Sequence, residues 1–399
     1  MRSPQVDAIA PLLSLLTLAV FLAGAICGAS HYGFTGWESV RLPRLSMIGS
    51  SDSAWYAAIA DTGYDHPTKE WSNVVFFPAY PLTGRAMGAW LGVDSRTSLM
   101  LVSIGCFALT LVLVRHYLVL RWPDDESAEP RLHMVLALAL YPTSIFFVTA
   151  HTEAMFLLLV VVTLCLLNSS RPTWLAAAVI GLATGTRPLG VALLLPLINV
   201  EWQRASSMRT FATRMLFLFP LAVSGLLCYS VFLYVQFGDP FAFATAMRSW
   251  VTRTASSFAE YGAALLSFEP VWSVYVPSSP AYWRRHEAAI AWPLSLQFAN
   301  PVFYVAACGL GMVGWVKGWL NRTEALLCAG LLLLPYMLHS YGSCMQSHAR
   351  YAAVVFPIYV TLGRAIAFLP KSGRCLVYVT FAVYLFALSA LMGAGYKVV

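Results

Sequence analysis

Leu136–Val148 reads LALALYPTSIFFV, and after six residues Met155–Leu167 reads MFLLLVVVTLCLL. Neither run alternates apolar with polar, so neither has the pattern of a β-barrel strand. Apolar stretches of about 17–25 residues recur along the whole chain, the length a helix needs to cross a bilayer. Composition agrees: of 399 residues, 59% are apolar and only 11% charged, against roughly 25% charged in a soluble domain. A soluble chain of this size would still need a wetted surface, and these residues cannot supply one. The sequence predicts an all-α polytopic membrane protein, a helical bundle of about eleven crossings.

Working outward, hydropathy places crossings near 11–29, 97–119, 132–149, 154–168, 174–185, 188–200, 215–237, 299–319, 323–340, 351–369 and 375–395. Segments 30–96 and 238–298 are then long loops on one side. Lys and Arg orient the bundle, because short cytoplasmic loops collect them. Twelve of them fall in the short loops of one side, among them Arg121, Arg171 and Arg204, and only Arg187 and Arg350 in those of the other. This puts the N-terminus in the cytoplasm and both long segments on the external face of a cytoplasmic (inner) membrane. Cys27 follows LAGAI in the manner of a lipoprotein site, but Ile26 is too large for the small-residue position; the first run is expected to stay as a span.

The formal charge of +7 is accounted for by this topology. No basic run interleaves with aromatics, so no nucleic-acid partner is expected. The eight cysteines stand singly, giving neither a disulfide framework nor a metal motif. The triplets at Asn168 and Asn321 fall on the cytoplasmic side and are expected to be unglycosylated.

Polar residues gather at the external ends of the helices. Asp52, in Ser51-Asp52-Ser53 ahead of AWYAAIA, is either a helix N-cap or a carboxylate presented as a general base; spacing by itself fits the cap better. Asp61 and Asp65 flank Gly63 as turn residues do. In Phe76-Phe77-Pro78-Ala79-Tyr80-Pro81 the prolines are expected to break any helix, leaving either an interfacial kink or a rigid wall, Phe77 and Tyr80 included, for a lipid or sugar ring. His151 and Glu153 border two apolar runs, as a snorkelling helix end or as a site. Arg187, in Gly185-Thr186-Arg187-Pro188, is the one cation between two short spans of 12 and 13 residues, where an anionic partner is expected. His339, His348, Arg350 and Tyr351 share the same face. An arginine there suits phosphate, and a histidine can hydrogen-bond one; a His/His/Asp metal site has no fixed spacing to support it.

These residues carry a resemblance. Asp52-Ser53-Ala54-Trp55-Tyr56 with Gly63-Tyr64, Phe76-Phe77-Pro78-Ala79-Tyr80-Pro81, Pro142-Thr143-Ser144 with Thr152-Glu153, Thr186-Arg187-Pro188 and Arg350-Tyr351 with Phe356-Pro357 resemble the GPI second-mannosyltransferase (PIG-V-like) family and its prokaryotic relatives, within the GT-C glycosyltransferases. The likeness is thinner after residue 200, and His151 stands where the family pattern suggests Tyr. It implies residues 1–200 as the catalytic module and 201–399 as a C-terminal transmembrane part. It also implies transfer of a hexose, mannose first, from a polyprenyl-phosphate sugar to a glycan, glycolipid or protein acceptor. Asp52 takes the base's place, and Arg187, Arg350, His151, Glu153, His348, Tyr351, Phe77 and Tyr80 serve donor phosphate and substrate. No cofactor and no metal is expected. The competing class is a transporter or flippase for a lipid-linked or anionic solute, which accounts for the broken spans but not for a long Asp52-bearing external segment.

Overall fold

The computed structural model describes residues 4–31, 52–123, 128–287, 290 and 294–396. Among these residues every regular element is helical. In chain order they are α1 (Pro4–His31), α2 (Asp52–Thr62), α3 (Ala79–Leu91), α4 (Ser95–Arg121), α5 (Ala128–Leu140), α6 (Ile145–Val148), α7 (Glu153–Leu167), α8 (Thr173–Thr186), α9 (Leu194–Arg204), α10 (Met208–Ala222) and α11 (Ser224–Phe237). Four short helices follow: α12 (Ala242–Ala246), α13 (Phe258–Leu266), α14 (Glu269–Trp272) and α15 (Trp283–His286). The bundle closes with α16 (Leu296–Val316), α17 (Arg322–His339), α18 (His348–Ala353), α19 (Pro357–Ala367) and α20 (Lys371–Gly393).

Each expected crossing is helical, but several are not straight. Among the described residues four helices, in α1, α4, α16 and α20, are long and apolar enough to cross by themselves, or up to six with bent pairs counted as one span. The pairs are α5 with 142–148, bent by 60°, and α10 with α11, bent by 53°. Expected crossing 188–200 opens with a 3-10 stretch, Pro188–Leu193, before α9. Expected crossing 351–369 is divided at Phe356–Pro357 between α18 and α19. The Asp124–Ser127 loop and the Ser51 half of the expected cap lie outside the described residues. Large apolar side chains line the outside, Phe217 at 73% exposure, Val235 at 77% and Val316 at 72% among them. Such a surface suits lipid and not water. This is a multi-pass membrane protein.

Proline explains the bend after α5. Pro142 has no N–H for the Leu138 carbonyl, which would be left bare in hydrocarbon. The Ser144 hydroxyl donates to it instead, at 2.7 Å, and Thr17 of α1 donates to the next carbonyl, Ala139, also at 2.7 Å. The bend therefore keeps its backbone satisfied and delivers residues 149–153 to one end of the bundle.

Between lipid-embedded helices there is little hydrophobic drive, so close backbone approach by small residues holds them together. Gly24 and Gly28 give α1 such a face against α20. A Cβ on Gly28 would stand 1.8 Å from the Ala390 carbonyl oxygen.

Candidate active site

Four ionisable side chains from distant parts of the chain meet at the end of the bundle where α7 begins and α8 ends. Arg350 joins the two acids: Nη1 donates to Asp52 Oδ2 at 2.7 Å, while Nε and Nη2 donate to Glu153 Oε1 at 2.9 and 2.8 Å. Arg187 Nη1 donates to the same Glu153 oxygen at 3.0 Å. Glu153 is fully buried, Arg350 is 3% exposed, and the Asp52 side chain retains 21%. Two carboxylates and two guanidiniums make the quartet neutral.

Local sequence places each member. Asp52 and Glu153 are the first residues of α2 and α7, so each carboxylate sits at the positive end of a helix dipole. Asp52 is thus inside its helix rather than the cap before it. Burial alone would push the Asp52 carboxyl up; the Arg350 guanidinium outweighs this and holds it below its ordinary value. Arg187 precedes a proline, which drives it out of the helical region; its φ of −153° and ψ of 146° end α8 and turn the chain into the 3-10 stretch. That stretch folds back so closely that a Cβ on Gly190 would meet Thr184 N at 2.5 Å. Arg350 is carried by α18, whose lead-in holds Cys344, Met345 and Ser347 at φ of 53°, 63° and 64°. Side chains outside glycine resist that region, and such strain persists only where surroundings enforce it. Here Gln297 of α16 donates to the Cys344 carbonyl at 2.6 Å, and Asn300 accepts from Ala349 N at 2.9 Å. Arg253 holds the Tyr341 carbonyl at 2.7 Å while paired with Glu269.

Aromatic rings complete the shell. Phe146 lies 5.1 Å from the Arg350 guanidinium, and Tyr351 and Phe156 lie 5.3 and 6.0 Å from that of Arg187. Arg350 uses all three nitrogens on the acids, which makes it a strut between them. Arg187 commits only Nη1, leaving Nε and Nη2 without a protein partner among the described residues. His151, 1% exposed, sits beside the quartet in the 149–152 connection and edges onto Phe146 at 5.3 Å.

The remaining expected residues lie elsewhere or act indirectly. Tyr80 is buried; its hydroxyl and that of Ser103 are 2.7 Å apart, and Ser103 in turn donates to the His151 carbonyl at 3.0 Å. Tyr80 braces the site from behind instead of walling a substrate. Phe77 packs on Tyr229 and Phe243, at 4.9 and 5.4 Å, in a separate apolar cluster. The prolines beside them start a helix rather than break one. Pro78 is the N-cap of α3 and Pro81 falls in its first turn, where no intrahelical N–H is required. His348 is buried between Tyr304 and Tyr351, one ring away from Arg187. Asp61 accepts from Ser95 of α4, and Asp65 pairs with Lys69 at 3.0 Å; neither joins the quartet. Among the described residues no three His, Cys, Asp or Glu side chains are grouped to hold a metal. Sequence reasoning passed over Gln297, Asn300, Arg253 and Glu269. The signal for the first two was a pair of amides, three apart, opening an otherwise apolar span.

No family model and no curated protein matches this chain. Solved structures do. The oligosaccharyltransferase of Archaeoglobus fulgidus in its apo form is 12% identical over 96% of this chain and 56% of its own, with a TM-score of 0.45. The oligosaccharyltransferase AglB of that organism, in complex with an inhibitory peptide and a dolichol-phosphate, is 14% identical over 96% and 56%, with a TM-score of 0.43. A complex with Zn and sulfate is 15% identical over 98% and 53%, with a TM-score of 0.46. The chain spans little more than half the length of the structures it matches. At such identities and overlaps the likeness is a loose one of helical architecture.

Proposed function

We propose that this chain is a membrane glycosyltransferase of the GT-C kind. It moves a hexose, mannose in the first instance, from a polyprenyl-phosphate donor to an acceptor at the external face of the cytoplasmic membrane. The observation that carries this is the buried quartet of Asp52, Arg350, Glu153 and Arg187. Ionisable groups at the border of an apolar bundle are costly, and where they persist they mark a site. The quartet offers a carboxylate with partial access and a guanidinium with unused donors, the two ends that sugar transfer from a phosphate requires.

In the proposed reaction the acceptor hydroxyl oxygen attacks the anomeric carbon as the bond from that carbon to the lipid phosphate oxygen breaks, with inversion. The sugar passes through oxocarbenium character, as in glycoside hydrolysis. The hydroxyl proton goes to the Asp52 carboxylate, and the lipid phosphate departs as an anion against Arg187 Nε and Nη2. A phosphate leaves readily without a proton, so no general acid is assigned. Arg350 fixes Asp52 relative to Glu153, and through Glu153 relative to Arg187.

Purified protein supplied with polyprenyl-phosphate mannose and a mixed glycolipid and glycan acceptor pool tests the reading. Acceptor-dependent release of polyprenyl phosphate, with mannose appearing on the acceptor, supports it. Passage of the intact lipid-linked sugar across proteoliposomes without cleavage would instead establish the transporter class.

A further inference from the structure

The hydrogen bonds around His151 assign its tautomer. The Thr149 hydroxyl owns a single proton, which it donates to the Ile145 carbonyl at 2.9 Å. Towards His151 Nδ1, also at 2.9 Å, it must therefore accept. The imidazole proton sits on Nδ1, and Nε2 carries a bare lone pair. That Nε2 is buried and has no hydrogen-bond partner among the described residues. Burial, with the Arg350 charge beside it, takes the ring down to about 4, so Nε2 stays an acceptor at neutral pH. Glu153 Oε2 repeats the pattern, buried without a hydrogen-bond partner among the described residues, while the Thr152 hydroxyl lies against Tyr56. Three consecutive residues thus present two obligate acceptors and one hydroxyl, and buried acceptors left unmet are costly.

A phosphate offers oxygens, which are acceptors, and meets only the Thr152 hydroxyl as a donor on this side. A sugar ring offers hydroxyl donors. We infer that His151–Glu153 is a hydroxyl-reading subsite for the transferred hexose, with His151 Nε2 its principal acceptor, next to the phosphate end at Arg187, which it meets through Glu153. This rests on the proposed transfer reaction and gives its donor site a polarity. Thr149 is then a positioning residue, because its hydroxyl selects the tautomer, and Ser103 with Tyr80 holds the His151 backbone in place.

Binding of polyprenyl-phosphate mannose and of sugar-free polyprenyl phosphate to the full-length protein, His151→Phe and His151→Gln tests it. Phe keeps an aromatic ring against Phe146 without an acceptor, and Gln returns one. His151→Phe is expected to lose about 5- to 150-fold in affinity for the sugar-bearing lipid and to bind the sugar-free lipid as the parent does, with His151→Gln recovering part of the loss. Equal loss for both lipids, or for neither, overturns the subsite and leaves a buried water as the partner of Nε2. If the parent protein binds neither lipid, the transfer reaction itself fails. The subsite is then decided by the nitrogen resonances of His151 during titration with methyl mannoside, where a protonated or unmoved Nε2 overturns it.

Discussion

Arg350 Nη1 lies 2.7 Å from Asp52 Oδ2, closing a contact between residues 298 positions apart. The same guanidinium turns its other two nitrogens to Glu153, so one planar group fixes the spacing of two carboxylates. Arg187 touches only the second of them.

The two arginines are therefore expected to respond differently to lysine. An ammonium is a point charge without the fork. Arg350→Lys cannot bridge Asp52 and Glu153 as three separate nitrogens do, and should lose nearly as much activity as Arg350→Ala. Arg187→Lys should retain clearly more activity than Arg187→Ala, because a phosphate accepts a point charge. Initial rates of sugar transfer for the four variants check this; equal tolerance of lysine at both positions contradicts it.

The bend after α5 offers a test of the fold alone. Ser144→Ala leaves the Leu138 carbonyl without its donor in a buried place. The expected cost is about 1–3 kcal/mol, and adding Thr17→Val, which bares Ala139, should increase it. Thermal unfolding in detergent measures both. An unchanged midpoint in the double variant means that the bend does not depend on these hydroxyls.

Much of this was legible in the residues. Arg187 stood out as a cation between two short apolar spans, whereas Asp52, whose spacing fits a cap better, and Glu153, which equally suits a helix end, were carried into the site by the resemblance. Their pairing was not legible, since nothing local says which cation meets which acid across 298 positions. Phe77 and Tyr80 misled for a related reason: an aromatic beside proline looks the same whether it lines a site or packs behind one. Pro188 marked an interruption, but Pro142 was read through as part of one crossing, and the direction in which the chain leaves that bend depends on donors such as the local Ser144 and the distant Thr17. For that reason the bent pairs and the divided 351–369 crossing were not foreseen as such.

Asp52 also carries a pH expectation. Its folded value lies below the ordinary 3.8, so its pairing with Arg350 contributes stability above that region and loses it only as pH falls through the folded value. The carboxylate is ionised throughout neutral pH. Transfer should show no acid limb from Asp52 between about pH 5 and 8. In Arg350→Gln, burial is no longer opposed by Arg350, and a limb should move upward into or toward that window. A pH–rate profile for each protein decides this, and a limb near pH 6 in the parent that disappears with Asp52 would contradict the pairing.

The most direct measurement is sugar transfer by Asp52→Asn. Asparagine keeps the side chain's shape and an oxygen for Arg350, but cannot take a proton from a hydroxyl. Removing one anion leaves the quartet with a net positive charge, so the variant should bind polyprenyl phosphate at least as tightly as the parent. Loss of a general base typically costs about 10²–10⁴-fold in rate. The account predicts a folded variant that binds the donor and whose transfer falls by that factor. Transfer at near-parental rate would contradict it, and would remove Asp52 from the chemistry.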